Sequence, residues 1–320
     1  MEAKQIRRRT TLLGLVIGAV LGLLATGVAR AQDLTEEFHQ QYPLSANGSV
    51  ELKNLNGWVH ITGWDQNTVK IDAVKRAVSK RRLDEAKITV ENRADSIYIR
   101  TQYPEYGDRG CDGYGYGFGM GFGGGATNAS YTVTASEAAS ESKSESDDCH
   151  ESLATVDYTV MVPRNARLDK IAPVNGNVEV TGVRGPVHVS AVNGHVTVTG
   201  MAGDSDVSSV NGTVEAGFER LAGSSRVHAV NGRVIVTVPS DSSLRVRAHS
   251  LNGAISNDFG LPESRGWPVG HDLDGKIGDG SASLEISTVN GRVEVRHAND
   301  GKKISSATSM LPRERTLAPY

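Results

Sequence analysis

Short runs of alternating apolar and polar residues recur through the second half of the chain. Val196 and Val198, for example, flank Thr197, and similar runs return every 18 to 21 residues. Alternation with a period of two predicts β-strands that bury one face. A unit of this length holds two strands of about five residues with their turns, and leaves no room for a helix.

Each unit carries an apolar-Asn-Gly tripeptide. The seven copies are Leu55-Asn56-Gly57, Val174-Asn175-Gly176, Val192-Asn193-Gly194, Val210-Asn211-Gly212, Val230-Asn231-Gly232, Leu251-Asn252-Gly253 and Val289-Asn290-Gly291. From Asn175 onward, successive asparagines are 18, 18, 20, 21 and 38 residues apart, so the last interval contains a unit without the motif or an insertion. Asn and Gly both tolerate the left-handed backbone region, which predicts a tight corner at each copy.

The residues around the motif keep the same phase in every copy. The positions two residues after each glycine are Val59, Val178, Val196, Val214, Val234, Ile255 and Val293. Stacking of equivalent residues in adjacent repeats explains such columns. The predicted fold is therefore all-β, a parallel β-helix or β-solenoid with coils of about 18–21 residues and one short helix in its N-terminal part.

A β-meander is the local alternative, because Asn-Gly is also a strong hairpin signal. In a two-residue hairpin Val189 would pair with Val198, and Ala191 with Val196. That register also places apolar residues on one face. The match of side chains between repeats, which a meander does not require, favours the solenoid.

Six segments follow from these patterns. They are a signal peptide (1–31), a lead-in (32–46), an N-terminal β segment (47–101), a flexible Gly/aromatic and Ser-rich excursion (102–153), the solenoid repeats (154–297) and a disordered tail (298–320). Low apolar content or glycine richness prevents the excursion and the tail from burying a core. The predicted helix is Ser79 to Lys87, with Ser79 as its N-cap, and residues 258–283 are expected to form an irregular loop.

The first 31 residues have the three parts of an export signal. A basic start with Lys4 and three arginines precedes an apolar run from Leu12 to Val28, and Ala29-Arg30-Ala31 supplies the small-x-small cleavage pattern. Cleavage after Ala31 would place the protein in the periplasm or on the cell surface. The alternative is an uncleaved anchor, for which the apolar run is slightly short.

The charge of the mature chain excludes some partners. Cleavage lowers Lys+Arg from 34 to 29 and Asp+Glu from 37 to 36, which gives a net charge of −7. An acidic surface disfavours nucleic acid, whose phosphates require a basic footprint, and adsorption to anionic lipid.

The two cysteines, Cys111 and Cys149, predict a disulfide in an oxidising compartment. The bond would close a loop of about 39 residues and contribute roughly 4 kcal/mol in the chain-entropy description. Two free thiols are the alternative, as is a metal site with Asp147, Asp148 and His150, although no Cys-x-x-Cys pattern supports a metal.

Several stretches together resemble the bacterial putative-adhesin family of exported β-strand-repeat proteins, a domain family of unknown function. They are the strand Val156 to Pro163, the successive Val-Asn-Gly coils, the entry Ser256-Asn257-Asp258-Phe259, and the closing Ser287 to Gly291. The resemblance covers about residues 45–101 and 154–297, and implies a β-solenoid of the cell envelope without a settled activity. The excursion departs from the family pattern, so a binding surface cannot simply be carried over.

Catalytic and cofactor motifs give no site. A Gly119-x-Gly121-x-x-Gly124 match lies within a glycine tract without the strand and helix that a dinucleotide site needs. Glu179 and Glu215 share an outward column, but two strand spacings put them roughly 10 Å apart, beyond the range of an inverting glycosidase pair. His188, His195, His228 and His249 are expected on outward positions of different columns and turns, as solvated residues. We therefore expect no catalytic residue, no cofactor and no metal.

The best partner-binding candidates are the exposed aromatics of the excursion, Tyr114, Tyr116, Phe118 and Phe122, which could stack on a sugar or on a protein. A linker with chance aromatics is the alternative. The sequence thus predicts a non-catalytic envelope protein, adhesin-like or scaffolding, whose partner is an envelope protein or polysaccharide. The alternatives are a carbohydrate-active β-helix enzyme and an envelope-stress sensor or regulator.

Overall fold

The structure is a computed structural model, and it describes residues 33–104, 152–265 and 269–310. Most of these residues lie in strands, with one short helix, which confirms the all-β prediction. The helix is α1 (Lys80–Glu85), and the strands in chain order are β1 (Leu34–Pro43), β2 (Ser49–Asn56), β3 (Val59–Trp64), β4 (Thr68–Ala77), β5 (Lys87–Arg93), β6 (Ser96–Gln102), β7 (Thr155–Pro163), β8 (Arg167–Asn175), β9 (Val178–Thr181), β10 (Val187–Asn193), β11 (Val196–Met201), β12 (Ser205–Asn211), β13 (Val214–Phe218), β14 (Ser224–Asn231), β15 (Val234–Val238), β16 (Leu244–Asn252), β17 (Ile255–Asn257), β18 (Ser264–Arg265), β19 (His271–Ile277), β20 (Ala282–Asn290), β21 (Val293–His297) and β22 (Ala307–Ser309).

The strands form two large mixed sheets. Sheet A has the order β1-β4-β7-β3-β9-β11-β13-β15-β21-β17. Sheet B has the order β18-β19-β16-β20-β14-β12-β10-β8-β2-β6-β5, and β22 pairs with β19. Successive strands of the repeat region alternate between the sheets, so each repeat contributes one strand to sheet B and one to sheet A, joined at its Asn-Gly corner.

Equivalent strands of neighbouring repeats pair in parallel. Val189 of β10 lies opposite Val207 of β12, and Val196 of β11 lies opposite Val214 of β13. The corner between β10 and β11 is therefore not a hairpin, because its two strands belong to different sheets. Inward valines, leucines and isoleucines from both sheets are buried in one continuous core.

The stacking order of the repeats differs from their order along the chain near the C-terminus. Strand β14 pairs with β20, and β20 pairs in turn with β16. The repeat of Asn290 thus lies between the repeats of Asn231 and Asn252. The interval of 38 residues between Asn252 and Asn290 contains an insertion with strands β18 and β19. After this insertion the chain runs back, and β20 lies between β14 and β16.

The N-terminal end shows a similar arrangement. Strand β6 pairs with β2 in sheet B and β7 pairs with β3 in sheet A, so the two strands form a further repeat. In this repeat the strand of sheet B ends at Gln102 and the strand of sheet A begins at Thr155. Helix α1 confirms the predicted helix, and the Ser79 hydroxyl accepts a hydrogen bond from the Arg82 backbone N–H at 3.4 Å.

Three segments outside the predicted repeats, which were expected as a polar lead-in, an irregular loop and a disordered tail, contain strands. The lead-in holds the ten-residue strand β1, paired along its whole length with β4. The loop at 258–283 holds β19, which is buried at Leu273 and Ile277 and pairs antiparallel with β16. The tail holds β22, and Lys302 pairs with Asp241 at 2.8 Å. These segments lack the Asn-Gly motif, and their sequences alone do not predict strands. They form strands because each pairs antiparallel with a neighbouring strand.

Candidate binding surface

The seven motif asparagines form one continuous ladder of side-chain amides. They follow the spatial order 56, 175, 193, 211, 231, 290 and 252, and each Nδ2 donates to the preceding Oδ1 at 2.8 to 3.0 Å. Each asparagine is the last residue of a sheet B strand, in parallel register with its neighbours. The asparagine is thus explained by amide pairing between repeats, which differs from the left-handed backbone argument made from the sequence.

The motif glycines are explained by close packing of one corner on the next. A Cβ at residue 212 would lie 2.7 Å from the carbonyl carbon of Gly194 and closer still to its oxygen. Five of the seven motif glycines have in addition a positive φ, between +119° and +159°, which disfavours any other residue. The corner therefore requires glycine both for its backbone conformation and because adjacent repeats approach one another at that atom.

Buried hydroxyls two residues before the asparagine support the corners. Ser209, Ser250 and Thr288 each donate a hydrogen bond to a motif glycine carbonyl of the adjacent repeat, at 3.0 to 3.3 Å. In the first copy Asn54 takes this position, and its amide donates to the carbonyl of Val156 at 2.8 Å. Backbone carbonyls at the tight corners thus accept hydrogen bonds from buried side chains.

The apolar residue of each motif lies outside the core. Val192, Val210, Val230, Leu251 and Val289 are 37 to 40% exposed, and Leu55 and Val174 are half-buried. We call these seven residues the aliphatic row. Since the asparagines next to them are in register, six inter-strand spacings give the row a length of about 29 Å. The row thus lies on the surface beside the amide ladder, in contrast to the buried residues two positions after each motif glycine.

The two glutamates considered for catalysis lie in one outward column of sheet A. Glu179 is opposite Thr197, which is opposite Glu215, so two strand spacings separate the carboxylates. Glu179 lies 3.2 Å from the His60 imidazole and is half exposed. Both carboxylates are exposed to solvent on the outer face of the sheet.

His188 and His195 are exposed, and the His195 imidazole accepts a hydrogen bond from the Thr213 backbone N–H at 3.3 Å. His228 and His249 lie beside carboxylates. The His249 imidazole is 2.6 Å from Asp272, and the His228 imidazole is 3.9 Å from Asp206. His228 and His249 share one column of sheet B, with Ser287 between them, whereas the sequence analysis put them on different columns. Within the described ranges, no group of three or more metal-ligating side chains is found.

A polar cluster that was not expected from the sequence joins strands β2, β6 and β7. The Thr101 hydroxyl donates to Asn54 Oδ1 at 3.0 Å and lies 2.7 Å from the Tyr158 hydroxyl. Burial raises the pKa of Tyr158 to about 12. The Tyr103 hydroxyl donates to the Ala154 carbonyl at 2.9 Å and joins the two chain segments that border the excursion. The sequence signal for this cluster was Asn54, which stands where other repeats carry a small residue such as Ala191 or Ser209.

The predicted sites of the excursion lie outside the described residues. This applies to the disulfide of Cys111 and Cys149 and to the aromatics Tyr114, Tyr116, Phe118 and Phe122. In the part of the chain that is described, no helix is long and apolar enough to span a membrane.

Comparisons with known proteins place the chain in a family. No curated protein matches it. Among solved structures it is similar to a putative cell adhesion protein from Clostridium sporogenes, with a TM-score of 0.42 and 9% identity over 82% of this chain and all of the other. A putative adhesin from Bacteroides fragilis gives a TM-score of 0.34 and 8% identity, and a putative lipid binding protein from Parabacteroides distasonis gives 0.25 and 9%, each over 82% of this chain and 97% of the other. The family model described as Toastrack DUF4097 matches residues 128–296, more than half of the 320 residues, and the chain therefore belongs to this family.

Proposed function

We propose that this protein is an exported, non-catalytic component of the cell envelope, adhesin-like or scaffolding, that binds an envelope protein or polysaccharide along the surface of a β-solenoid. Its coils are the repeats of 18 to 21 residues, and the leader at residues 1–31 supports export. The observation that carries the proposal is the aliphatic row beside the asparagine ladder.

The row combines two properties of a recognition surface. Contiguous exposed aliphatic residues on a folded protein mark contact sites more often than scattered ones do. An asparagine amide has two N–H donors and an oxygen with two lone pairs, and the ladder uses one donor and one lone pair of each internal amide. The remaining donor and lone pair of each amide can therefore contact a ligand at every repeat.

The shape of this surface favours an extended ligand. Apolar contacts and amide groups recur at about 4.8 Å, the spacing between neighbouring strands. An extended polypeptide or a polysaccharide that runs along the stacking direction could meet equivalent groups at several repeats. Each contact would be weak, and the affinity would grow with the number of repeats engaged.

Replacement of the row tests the proposal. A variant with Val192→Lys, Val210→Lys and Val230→Lys should bind isolated envelope fragments at least about tenfold more weakly, which corresponds to about 1.4 kcal/mol. The matched control carries Thr181→Lys, Thr199→Lys and Thr237→Lys on the outward face of sheet A, adds the same charge, and should bind like the unmodified protein. Binding is measured by co-sedimentation over a concentration series. Equal loss of binding in both variants would point to charge alone and would contradict a role of the row.

The excursion is tested separately. Envelope fragments are incubated with the protein and with a form that lacks residues 105–151, which contain the four predicted aromatic contacts. Equal binding of the two forms would show that the excursion does not contribute to binding. It would not affect the proposed role of the aliphatic row. Glycan turnover that is lost on Glu179→Gln with Glu215→Gln would instead favour the enzymatic alternative.

A further inference from the structure

Strand β1 forms one end of sheet A and presents a long, regular edge. Its ten residues pair antiparallel with β4, from Leu34 opposite Ala77 to Pro43 opposite Thr68, without a register shift. Among the strands of the described ranges, only β4 pairs with it. A long, unbulged edge is a template for a further strand, and many proteins blunt such edges with bulges or lysines. Strand β1 has no bulge and no lysine; its two glutamates are Glu36 and Glu37, of which Glu36 pairs with Lys75 of its own chain, and its one proline, Pro43, is its last residue.

The two faces of β1 differ in character. Leu34, Phe38 and Tyr42 lie on the face that continues the core, since their partners Ala77, Ala73 and Val69 are buried. Leu34 is 42% exposed, and Phe38 and Tyr42 are only partly buried. The inner face of the edge thus carries three apolar residues that the chain itself covers incompletely, with Glu36 and Gln40 between them.

The edge is held in place by the elements behind it. The Lys75 ammonium, which is buried, lies 2.8 Å from the Glu36 carboxylate and donates to the carbonyls of Leu83 and Ala86 around the end of α1. On the outer face, the His39 imidazole is 2.7 Å from the Asp72 carboxylate. A strand fixed in this way loses little conformational freedom when a partner adds to it.

We propose that β1 pairs with β1 of a second copy of this chain, antiparallel, about a two-fold axis that passes between the two copies of Phe38. The axis is perpendicular to the sheet, so the inner faces of the two copies lie on the same side. Sheet A would then continue from one subunit into the next, and the partly exposed Leu34, Phe38 and Tyr42 of both copies would cover one another.

The sequence of β1 is self-complementary in this register. Leu34 lies opposite Tyr42, Phe38 opposite Phe38, and Glu37 opposite His39 of the other copy. A shift of one residue on each strand in one direction places Glu37 opposite itself, and the same shift in the other direction places His39 opposite itself. Like charges directly opposite each other destabilise a strand pair, whereas apolar pairs and opposite charges stabilise it.

The pairing is large enough for a specific contact. An overlap of nine residues gives about 8 to 10 backbone hydrogen bonds, because opposed residues alternate between bonded and non-bonded pairs. This number is typical of a whole protein–protein interface. A register that places Phe38 opposite Tyr42 also avoids like charges, but it overlaps over only seven residues and leaves both copies of Leu34 unpaired.

Cross-linking distinguishes these arrangements. Cysteine at residue 38 would lie directly opposite itself, with Cα atoms about 4.5 to 5.5 Å apart, within reach of a disulfide. Cysteine at residue 40, on the same face, would lie about 14 Å from its copy, because the two are four residues apart along the strands and on neighbouring strands. In the protein as exported by its host, Phe38→Cys should therefore give a covalent dimer under mild oxidation, and Gln40→Cys should not. Since the native cysteines are common to both variants, they cannot produce the difference.

Sedimentation analysis of the unmodified protein supplies the second measurement, which does not depend on a core substitution. We expect twice the chain mass at micromolar concentration. His39→Glu, which sets a carboxylate opposite Glu37 of the other copy, should weaken the dimer at least about tenfold, and His39→Gln should have a smaller effect. A monomer at all concentrations overturns the proposal, and a cross-link through residue 40 rather than 38 overturns the register. Neither outcome affects the proposed role of the aliphatic row.

Discussion

The asparagine ladder predicts that the cost of removing an asparagine depends on its place in the stack. Asn211 lies inside the ladder, where it donates to Asn193 and accepts from Asn231. Asn252 lies at the end and makes one ladder bond, to Asn290. A net hydrogen bond contributes about 0.5 to 1.5 kcal/mol, and exposed bonds fall in the lower part of this range. We therefore expect Asn211→Ala to lower the free energy of unfolding by about 1 to 2 kcal/mol, and Asn252→Ala by about half as much.

Guanidinium-induced unfolding followed by circular dichroism checks this expectation, provided that the slope of the transition is unchanged. The same substitution, asparagine by alanine, is made at both sites, so the intrinsic difference between these two side chains cancels in the comparison. Equal losses at the two sites would show that the asparagines act independently, and no loss at either would show that the ladder contributes nothing to stability. Both results would refute the account given for the motif.

An aspartate at residue 211 separates the donor from the acceptor. A carboxylate could still accept from Asn231 but could not donate to Asn193, and its charge would face the Asn193 oxygen. Asn211→Asp should thus be at least as destabilising as the alanine at pH 7. Stability should recover as the pH falls below about 4, because a protonated carboxyl group donates again. Unfolding at pH 7 and pH 3.5, compared with the alanine variant, measures the recovery.

Three further outcomes are expected. Gly212→Ala should lower the free energy of unfolding by more than about 3 kcal/mol because a Cβ meets the neighbouring backbone, whereas Gly217→Ala, with its nearest atom at 3.6 Å, should cost less than about 1 kcal/mol. Ser225→Ala should leave the melting temperature unchanged or raise it, because the buried hydroxyl has no hydrogen-bond partner among the described residues. The hydrogen bond from Arg245 lowers the pKa of Asp274; this stabilisation is present above the pKa of the unfolded chain and is lost as the pH falls through the folded value. Arg245→Gln should therefore raise the Asp274 pKa in an NMR titration and reduce the loss of stability on acidification.

The reason given from the sequence for the motif holds for its glycines but not for its asparagines. The Asn-Gly corners are where the motif placed them, and five of the seven glycines have a positive φ, but amide hydrogen bonds between repeats explain the asparagines better than backbone freedom does. The signal for this was present, since a corner that needs only a left-handed residue would accept either Asn or Gly at each position. An invariant order across seven copies indicates that each position has its own neighbour to satisfy.

What the sequence alone determined is the local and repeating part of this protein. Alternation of apolar and polar residues fixes which face of each strand is buried, the constant phase around Asn-Gly fixes the two-strand repeat, and Ser79 fixes the start of the helix. These features depend on contacts between residues that are near in sequence or equivalent in the repeat. The tertiary structure decided the rest: that the repeat of Asn290 inserts between those of Asn231 and Asn252, that β1 and β19 are strands, and that the motif valines face solvent. Those outcomes depend on which segments meet at the ends and edges of the sheets, where pairing between distant residues outweighs local preference.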